Sequence, residues 1–387
     1  MILSDPVPSS VQVRAAGRAT YVAFIGSGFA FASWASRIPQ VRDRLHLQPS
    51  ELGLVLLGIA AGSVIALPMS GPLLNRLGSQ RTVTVMSVVL AAGMAVAALG
   101  YLYGVVPVVV GLFLAGLGNG AWDVAMNVQG AHVEQHLGRS IMSRFHAGFS
   151  VGTVAGALIG AAMVALRVPV TAHLLAVAAI VAVAVPVAVR WFVPDGSTDG
   201  DTGAGGAWFE PRTLLIGVFV LAFAFAEGTG NDWISVALID GYGAPATIGT
   251  LGFAVFLAAM TTGRWFGPAL LDRYGRVAVI RVLSILALVG LILFVFGPSA
   301  PVAFAGAVLW GGGISLGFPV GMSAGADDPA RAASRVSVIA SVGYCAFLGG
   351  PPLIGFLGQR FTVLRGLTAV AVLLGVAALI TGNVRRP

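Results

Sequence analysis

Lysine is absent from the chain of 387 residues, so all 22 basic residues are arginine. Without lysine there is no Gly-x-x-x-x-Gly-Lys loop to hold a nucleotide, which excludes ATP-driven transport by this chain alone. The arginines are spread along the chain, with no short window rich in basic residues. This distribution argues against a nucleic-acid partner.

Cysteine is nearly absent, because Cys345 is the only one. A single thiol excludes an internal disulfide and a thiolate metal cluster. The sequence also lacks a His-Glu-x-x-His motif, an acidic cluster with metal-ligand spacing and a recognisable nucleophile–base pair. We therefore expect no metal, no cofactor and no enzymatic activity.

Charge of either sign is scarce: 10% of the residues are charged, 57% are apolar, and the mean hydropathy is +0.92. About a quarter of the residues of an ordinary soluble domain are charged, so the composition indicates a membrane protein. Residues 1–18 are polar and lack the apolar segment of a signal peptide. They are predicted to form a cytoplasmic N-terminal tail.

Twelve apolar runs approach the length that a helix needs to cross a bilayer, about 20 residues. They fall near residues 19–38, 51–71, 82–103, 106–128, 145–166, 168–192, 213–236, 246–267, 278–297, 301–323, 335–357 and 363–383. The pattern predicts an all-α membrane protein with twelve transmembrane helices. Most arginines fall on the side that holds both termini, as the positive-inside rule expects, so we predict an inner-membrane protein with both termini cytoplasmic.

A polar segment rich in Gly, Asp and Thr, residues 194–212, separates six spans from six and is predicted to be a cytoplasmic linker. The halves on either side, 19–193 and 213–387, share three motifs in the same order. These are Phe29–Ala32 with Phe223–Ala226, Gly71–Gly78 with Gly267–Gly275, and Ser143–Gly152 with Ser334–Gly343. Such a repeat predicts two pseudo-symmetric six-helix bundles.

The loop after the second span resembles the signature that the major facilitator superfamily carries between its second and third spans. The residues that carry the resemblance are Gly71, Asn75, Arg76, Gly78 and Arg81, and a second copy holds Asp272, Arg273 and Gly275. The resemblance implies the major facilitator fold, in which these loops latch the cytoplasmic face during gating. The family has an aspartate where this chain has Asn75, so we expect the first latch to be weaker than the second.

The fourth span resembles a narrower group within that superfamily. Gly118-x-Gly120, followed by Asp123-x-x-x-Asn127, is similar to the fourth span of fucose-permease-like transporters. The segments Ser143–Ser150 and Glu227–Trp233 together resemble a group of bacterial inner-membrane permeases near that branch. The resemblance does not extend to a known sugar-binding set, so it implies no particular cargo.

Two spans carry polar residues at four-residue spacing, which places each set on one helix face. The sets are Asn119, Asp123 and Asn127 in the fourth span, and Glu227, Asn231 and Ser235 in the seventh. A carboxylate at the bilayer centre costs about 2.5–3.5 kcal/mol, so it normally faces water or a partner. A carboxylate can also take up a proton, so Asp123 and Glu227 are candidate proton-coupling residues. A permanent tie to an arginine or to hydroxyl groups is the alternative for each.

Other polar side chains extend the candidate cavity. His146 lies at helical spacing from Ser143 and Ser150 and could relay protons or simply hydrogen-bond within the bundle. Asp232 is expected either to contact the substrate or to lie at the outer gate. Ser341 and Tyr344 share a face of the eleventh span, where they contact a polar cargo or only join helices.

Four tryptophans lie in the first, fourth, seventh and tenth spans, which line the cavity in the family that the chain resembles. They are Trp34, Trp122, Trp233 and Trp310. An indole face can stack on a sugar ring or a flat ligand. Interfacial anchoring or packing is the alternative, and Trp34 and Trp233 are the most suited to anchoring.

These features predict a monomeric secondary active transporter that works by alternating access around a midplane site. Its partners are a small-molecule substrate, protons and the lipid bilayer. Proton-coupled symport of a small polar solute such as a sugar is the preferred function. Proton-antiport efflux of amphipathic compounds and passive facilitation stay open, and a non-transporting sensor is disfavoured because the polar ends are short.

Overall fold

The computed structural model of the protein describes residues 9–138, 141–195, 207–328 and 331–385. Within these ranges the chain is helical and contains no β-strand. Residues 1–8 of the predicted tail and 196–206 of the predicted linker lie outside the described residues. What is described therefore covers the membrane-spanning part of the chain almost completely.

Six α-helices form the first half of the chain. They are α1 (Ser10–Ala35), α2 (Ile38–Leu45), α3 (Pro49–Gly100), α4 (Val105–Leu137), α5 (Met142–Ala165) and α6 (Val170–Val189). The long α3 contains two predicted spans, because its backbone breaks at Gly78 with φ 74° and ψ 167°. Glycine reaches this conformation without the steric cost that a Cβ would add.

Eight α-helices follow in the second half. They are α7 (Pro211–Tyr242), α8 (Ala246–Tyr274), α9 (Arg276–Phe296), α10 (Ala300–Ile314), α11 (Gly317–Gly325), α12 (Ala332–Arg360), α13 (Val363–Gly366) and α14 (Thr368–Ile380). One-turn 3₁₀ helices cover Ala207–Phe209 and Thr381–Val384. Pro211 opens α7 at a position where its missing N–H costs no helical hydrogen bond.

The twelve predicted spans are confirmed by this set of helices. Ten helical segments of the described chain are long and apolar enough to cross a membrane, with α10 and α11 joined as one and α13 and α14 joined as another. The segment Pro49–Gly100 counts once among the ten but crosses twice, on either side of Gly78. The twelfth span is α1, which is less apolar because it also contains Arg14 and Arg18 near its start.

Spatial proximity groups the chain into two compact units. Unit 1 comprises Met1–Ser33, Gly58–Gly156 and Thr171–Thr198, and unit 2 comprises Trp34–Leu57, Ala157–Val170 and Asp199–Pro387. Unit 2 thus holds the second predicted bundle together with two segments of the first half of the sequence. The division of the chain at residues 194–212 stays a prediction.

Each unit contains a glycine-mediated helix crossing of the same design. In unit 1, a Cβ added at Gly118 of α4 would lie 2.5 Å from the backbone nitrogen of Leu90 in α3. In unit 2, a Cβ at Gly313 of α10 would lie 2.4 Å from the backbone nitrogen of Ala287 in α9. Small residues let helix backbones approach this closely, and the matching positions show the internal duplication at the level of packing.

Candidate functional site

The polar residues of α4 lie on one face of the helix, as their spacing predicts. Asn119, Asp123 and Asn127 are each partly exposed, whereas their neighbours Trp122 and Met126 are buried. Ser27 of α1 donates its hydroxyl proton to Oδ1 of Asn119 at 2.9 Å. The side-chain nitrogen of Asn127 donates to the carbonyl oxygen of Asp123 at 2.8 Å and approaches its Oδ1 at 3.4 Å.

Asp123 lies deep within α4 and has no cationic partner in the described part of the chain. At 1.5 Å per residue it is about 27 Å along the axis from Val105 and about 21 Å from Leu137. No arginine or histidine of the described residues comes within ion-pair distance of its carboxylate. The alternative of a permanent ion pair with arginine therefore gains no support here, and Asp123 stays the candidate proton carrier.

Glu227 has the opposite environment, because it forms an ion pair. Nη2 of Arg264, in α8, donates to Oε2 of Glu227 at 2.7 Å. The side chain of Glu227 is 19% exposed and that of Arg264 is 26% exposed. The structure therefore shows Glu227 in an ion pair and brings Arg264 into the site, while the role of Glu227 in proton coupling stays a prediction.

The position of Arg264 depends on a proline in the tenth span. Pro319 has no N–H, so it cannot bond the carbonyl oxygen of Ser315 four residues earlier. The helix is interrupted there, with α10 ending at Ile314 and α11 beginning at Gly317. Nε of Arg264 donates to this Ser315 carbonyl oxygen at 3.4 Å. Sequence reasoning missed Arg264 because its partners lie in other helices, far away in the sequence.

The predicted polar stripe of α7 is only partly open. Asn231 and Ser235 are buried, with exposures of 8% and 5%, whereas Glu227, Gly228 and Asp232 are partly exposed. The partly exposed positions of α7 therefore include two carboxylates, about 140° apart around the helix axis. Asp232 forms no ion pair with any described residue, so the outcome differs for the two: Glu227 is paired and Asp232 is not.

All four candidate tryptophans are buried. Trp122, Trp233 and Trp310 have no exposed surface, and Trp34 retains 5%. The ring of Trp310 lies edge-on to Phe256 and Phe294, with centroids 5.3 and 5.8 Å away. Trp122 packs against Gly26. These placements favour the packing interpretation, and the rings do not form an open stacking surface.

The remaining cavity candidates lie on exposed faces of α5 and α12. His146 is exposed, and its ring lies edge-on to Phe24 at 5.1 Å. The hydroxyl of Ser341 donates to the carbonyl oxygen of Ser337 in its own helix at 2.8 Å. Tyr344 is partly exposed, and its ring is 6.1 Å from that of Phe347.

The loop signature shows equivalent backbones and few side-chain contacts. Gly78 and Gly275 both adopt positive φ, 74° and 77°, at the starts of equivalent spans. Gly71, Asn75, Arg76, Arg81, Asp272 and Arg273 are exposed. Among the described residues, no hydrogen bond or ion pair holds Asn75 or Asp272, so the predicted difference between the two latches stays untested.

The polar contacts at the predicted cytoplasmic end involve other residues. In unit 1, both carboxylate oxygens of Asp195 accept hydrogen bonds from Ser79, and Nδ1 of His132 lies 3.5 Å from Oδ1. In unit 2, Nη1 of Arg276 donates to both carboxylate oxygens of Asp327 at 2.8 and 3.0 Å. Both clusters begin at the residue after the glycine that ends each repeated loop motif, Gly78 in one and Gly275 in the other, and this shared position was the available sequence signal.

Unit 2 also contains a cavity of about 400 Å³ at the ends of α2 and α7. Arg42, His46, Trp233 and Asp240 contribute to its lining. Arg42 forms ion pairs with Asp43 and Asp240. These charged side chains of the cavity wall therefore pair with one another. In the described residues, no group of three or more His, Cys, Asp or Glu side chains is arranged to hold a metal ion.

Comparison with known proteins agrees with the helical arrangement. The family model described as Major Facilitator Superfamily matches residues 20–351. An uncharacterized transporter of Sinorhizobium fredii is 31% identical over 348 residues, 89% of this chain and 92% of that protein. An uncharacterized MFS-type transporter of Yersinia pestis is 31% identical over 358 residues, 92% of each chain. Neither comparison distinguishes a branch such as the fucose-permease-like one.

Among solved structures, a mutant of the nucleoside transporter NupG has a TM-score of 0.78 at 13% sequence identity. The match covers 96% of this chain and 99% of that one. At this low identity, the TM-score shows that the two proteins share a fold.

Proposed function

Because the chain belongs to the Major Facilitator Superfamily, we propose that it is a proton-coupled secondary transporter of a small polar solute. The observation that carries the proposal is Asp123, a carboxylate about midway along α4 with no cationic partner among the described residues. A charge in that position is costly, and the cost falls when the group takes up a proton. A carboxyl group that gains and loses a proton during the cycle couples transport to the proton gradient.

The neighbours of Asp123 suit a polar cargo. Asn119 and Asn127 each add an amide on the same partly exposed face, and the buried hydroxyl of Ser27 holds the amide of Asn119 in place. Amide and hydroxyl groups donate and accept hydrogen bonds, as a hydroxylated solute requires. The tryptophans are buried, which gives less support to flat amphipathic compounds. We therefore favour symport of a small polar solute over efflux of drug-like molecules.

The decisive test is solute accumulation by the purified full chain in proteoliposomes, with and without an imposed pH gradient. Labelled neutral sugars, sugar acids and nucleosides form the panel, and Asp123→Asn is the variant. We expect the variant to keep solute exchange at equilibrium but to lose gradient-driven accumulation. Glu51→Gln is the matched control, because this exposed carboxylate at the start of α3 only caps a backbone N–H and glutamine keeps an acceptor oxygen.

Three results would contradict the proposal. If Asp123→Asn still accumulates solute under a pH gradient, the proton is carried elsewhere. If the wild-type protein equilibrates solute without responding to the gradient, it is a passive facilitator. Outward movement driven by an inward proton gradient would identify an exporter instead.

A further inference from the structure

The ion pair between Arg264 and Glu227 lies near the middle of α7. Glu227 is about 24 Å along the α7 axis from Pro211 and about 22 Å from Tyr242. Charged residues at such depth are expensive, and they usually mark a substrate or ion pathway. Sequence reasoning assigned Glu227 to proton coupling and left Arg264 without a role at this depth.

The guanidinium of Arg264 uses only part of its hydrogen-bonding capacity. Nη2 binds Glu227 at 2.7 Å and Nε reaches the Ser315 carbonyl oxygen at 3.4 Å. An arginine has five N–H donors in a planar fork. In the described part of the protein no acceptor binds Nη1 of Arg264, and 26% of the side chain is exposed. An edge of the fork is thus open to a ligand.

The backbone around Arg264 holds it in place. A Cβ added at Gly263 would lie 2.3 Å from Oγ of Ser315, so α8 and α10 touch at this level. The Ser315 carbonyl oxygen is available because Pro319 cannot donate to it. By contrast, a Cβ added at Gly312 would meet nothing within 4 Å. A rigid anchor beside open space is the arrangement expected of a binding site, in which few polar groups fix the orientation of a ligand.

We infer that Arg264 binds the carboxylate of the transported solute, and that Glu227 occupies its place when no solute is bound. The inference rests on the proposed transport function and names its substrate class as small hydroxylated carboxylic acids. One carboxylate replaces another as the partner of Arg264, while Glu227 stays in the site, so a monocarboxylate adds a single negative charge. A phosphate dianion brings an additional negative charge to a site that already holds Glu227 and Asp232.

Asp232 is the second partly exposed carboxylate of α7. It is five residues after Glu227, about 7–8 Å further along α7 and about 140° further around the helix axis. An ionised carboxylate only accepts hydrogen bonds, so it suits hydroxyl donors and disfavours a second anionic group.

Binding to the purified full chain in detergent tests this assignment without any proton gradient. The probes are three acid and neutral pairs, D-gluconate with D-glucitol, D-glucuronate with D-glucose, and D-galacturonate with D-galactose, measured by titration calorimetry. We expect at least one acid to bind about tenfold or more tightly than its neutral partner, as charge-assisted hydrogen bonds allow. D-glucose 6-phosphate is the dianionic comparison and is expected to bind more weakly than that acid.

Variants separate the role of Arg264 from general damage. Arg264→Gln should weaken acid binding about tenfold or more, and Arg264→Lys, which keeps the charge but loses the fork, should fall between. Glu227→Gln should tighten acid binding, because it removes the competing carboxylate. Arg281→Gln on α9 is the control, since that side chain is exposed and forms no ion pair with the described residues.

The inference is overturned if no acid of the panel binds, if neutral partners bind equally well, or if glucose 6-phosphate binds most tightly. Unchanged acid binding by a folded Arg264→Gln protein also overturns it. Because these measurements involve no transport, they can fail while Asp123→Asn still abolishes proton-driven accumulation. The opposite pattern would reject the coupling proposal and keep the carboxylate site.

Discussion

The carboxylate of Asp195 caps the helix segment that begins at Ser79. It accepts hydrogen bonds from both the backbone N–H and the hydroxyl of Ser79, directly after the break at Gly78. The first four N–H groups of a helix have no acceptor within the helix, and an aspartate carboxylate can accept a hydrogen bond from one of them. Asp195 follows α6, so the cap ties the start of the linker to the third span within unit 1.

Replacing Asp195 with alanine should lower the thermal stability of the protein at neutral pH, by about 1 kcal/mol as for other helix caps. Burial acts to raise the pKa of Asp195, but the hydrogen bonds from His132 and Ser79 outweigh it, and the pKa is lowered. The stabilisation is therefore complete above the ordinary aspartate pKa and is lost as pH falls through the lowered value.

Thermal unfolding of the wild type and Asp195→Ala at pH 7 and at pH 3 measures this effect. The difference between the two proteins should shrink at the lower pH. Asp272→Ala is the control, because Asp272 is exposed. An equal loss in both variants, or a difference that grows on acidification, would contradict a capping role.

Arg42 should couple energetically to Asp240 at the end of α7. Its guanidinium binds Asp240 through Nη1 and Asp43 through Nε and Nη2. Arg42 is 11% exposed and Asp240 is 41% exposed, so solvent screening limits the coupling to about 1 kcal/mol or less. A double-mutant cycle with Arg42→Gln and Asp240→Asn, read by thermal unfolding at low and high salt, should show a coupling that salt weakens. Strictly additive single effects would show that the pair contributes nothing.

Adding one methyl group at Gly290 should destabilise the crossing between α9 and α10. A Cβ there would lie 2.3 Å from the backbone nitrogen of Trp310, and a backbone cannot swing aside as a side chain can. Overpacking of this kind costs typically 1–3 kcal/mol. Gly375→Ala on α14 is the control, since its Cβ would meet nothing within 4 Å. We expect the unfolding temperature to fall for Gly290→Ala and to stay at the wild-type value for Gly375→Ala. Equal unfolding temperatures for the two variants would show that the helix crossing relaxes around the added methyl group.

The proposed orientation places both termini in the cytoplasm and the α7–α8 connection at Gly243 outside. A fluorescent protein fused to the C-terminus should therefore fluoresce, and alkaline phosphatase inserted at Gly243 should be active. The reciprocal fusions should both be inactive. The physical basis is the arginine bias, which includes Arg76, Arg81, Arg273 and Arg276 on the cytoplasmic side. Activity of the reciprocal set would reverse the topology.

Much of the fold follows from local sequence, because a helix satisfies its backbone within itself and a bilayer demands a long apolar run. The prediction of twelve spans is confirmed, including the two that the structure joins across Gly78. The face shared by Asn119, Asp123 and Asn127 is also a local property of one helix and was found correctly. On α7, Asn231 and Ser235 are buried because neighbouring helices cover them, and the place of Asn231 in the cavity stays a prediction.

The sequence by itself determined the class of protein, the number of spans and the internal repeat, since these depend on composition and on residues close together in the chain. Only the tertiary structure decided which carboxylates have partners. Glu227 and Arg264 are 37 residues apart, and Ser79 and Asp195 are 116 apart. Partner choice depends on distances between helices, which helical periodicity does not contain. For the same reason, only the packed helices show that the ring of Trp310 is buried against Phe256 and Phe294.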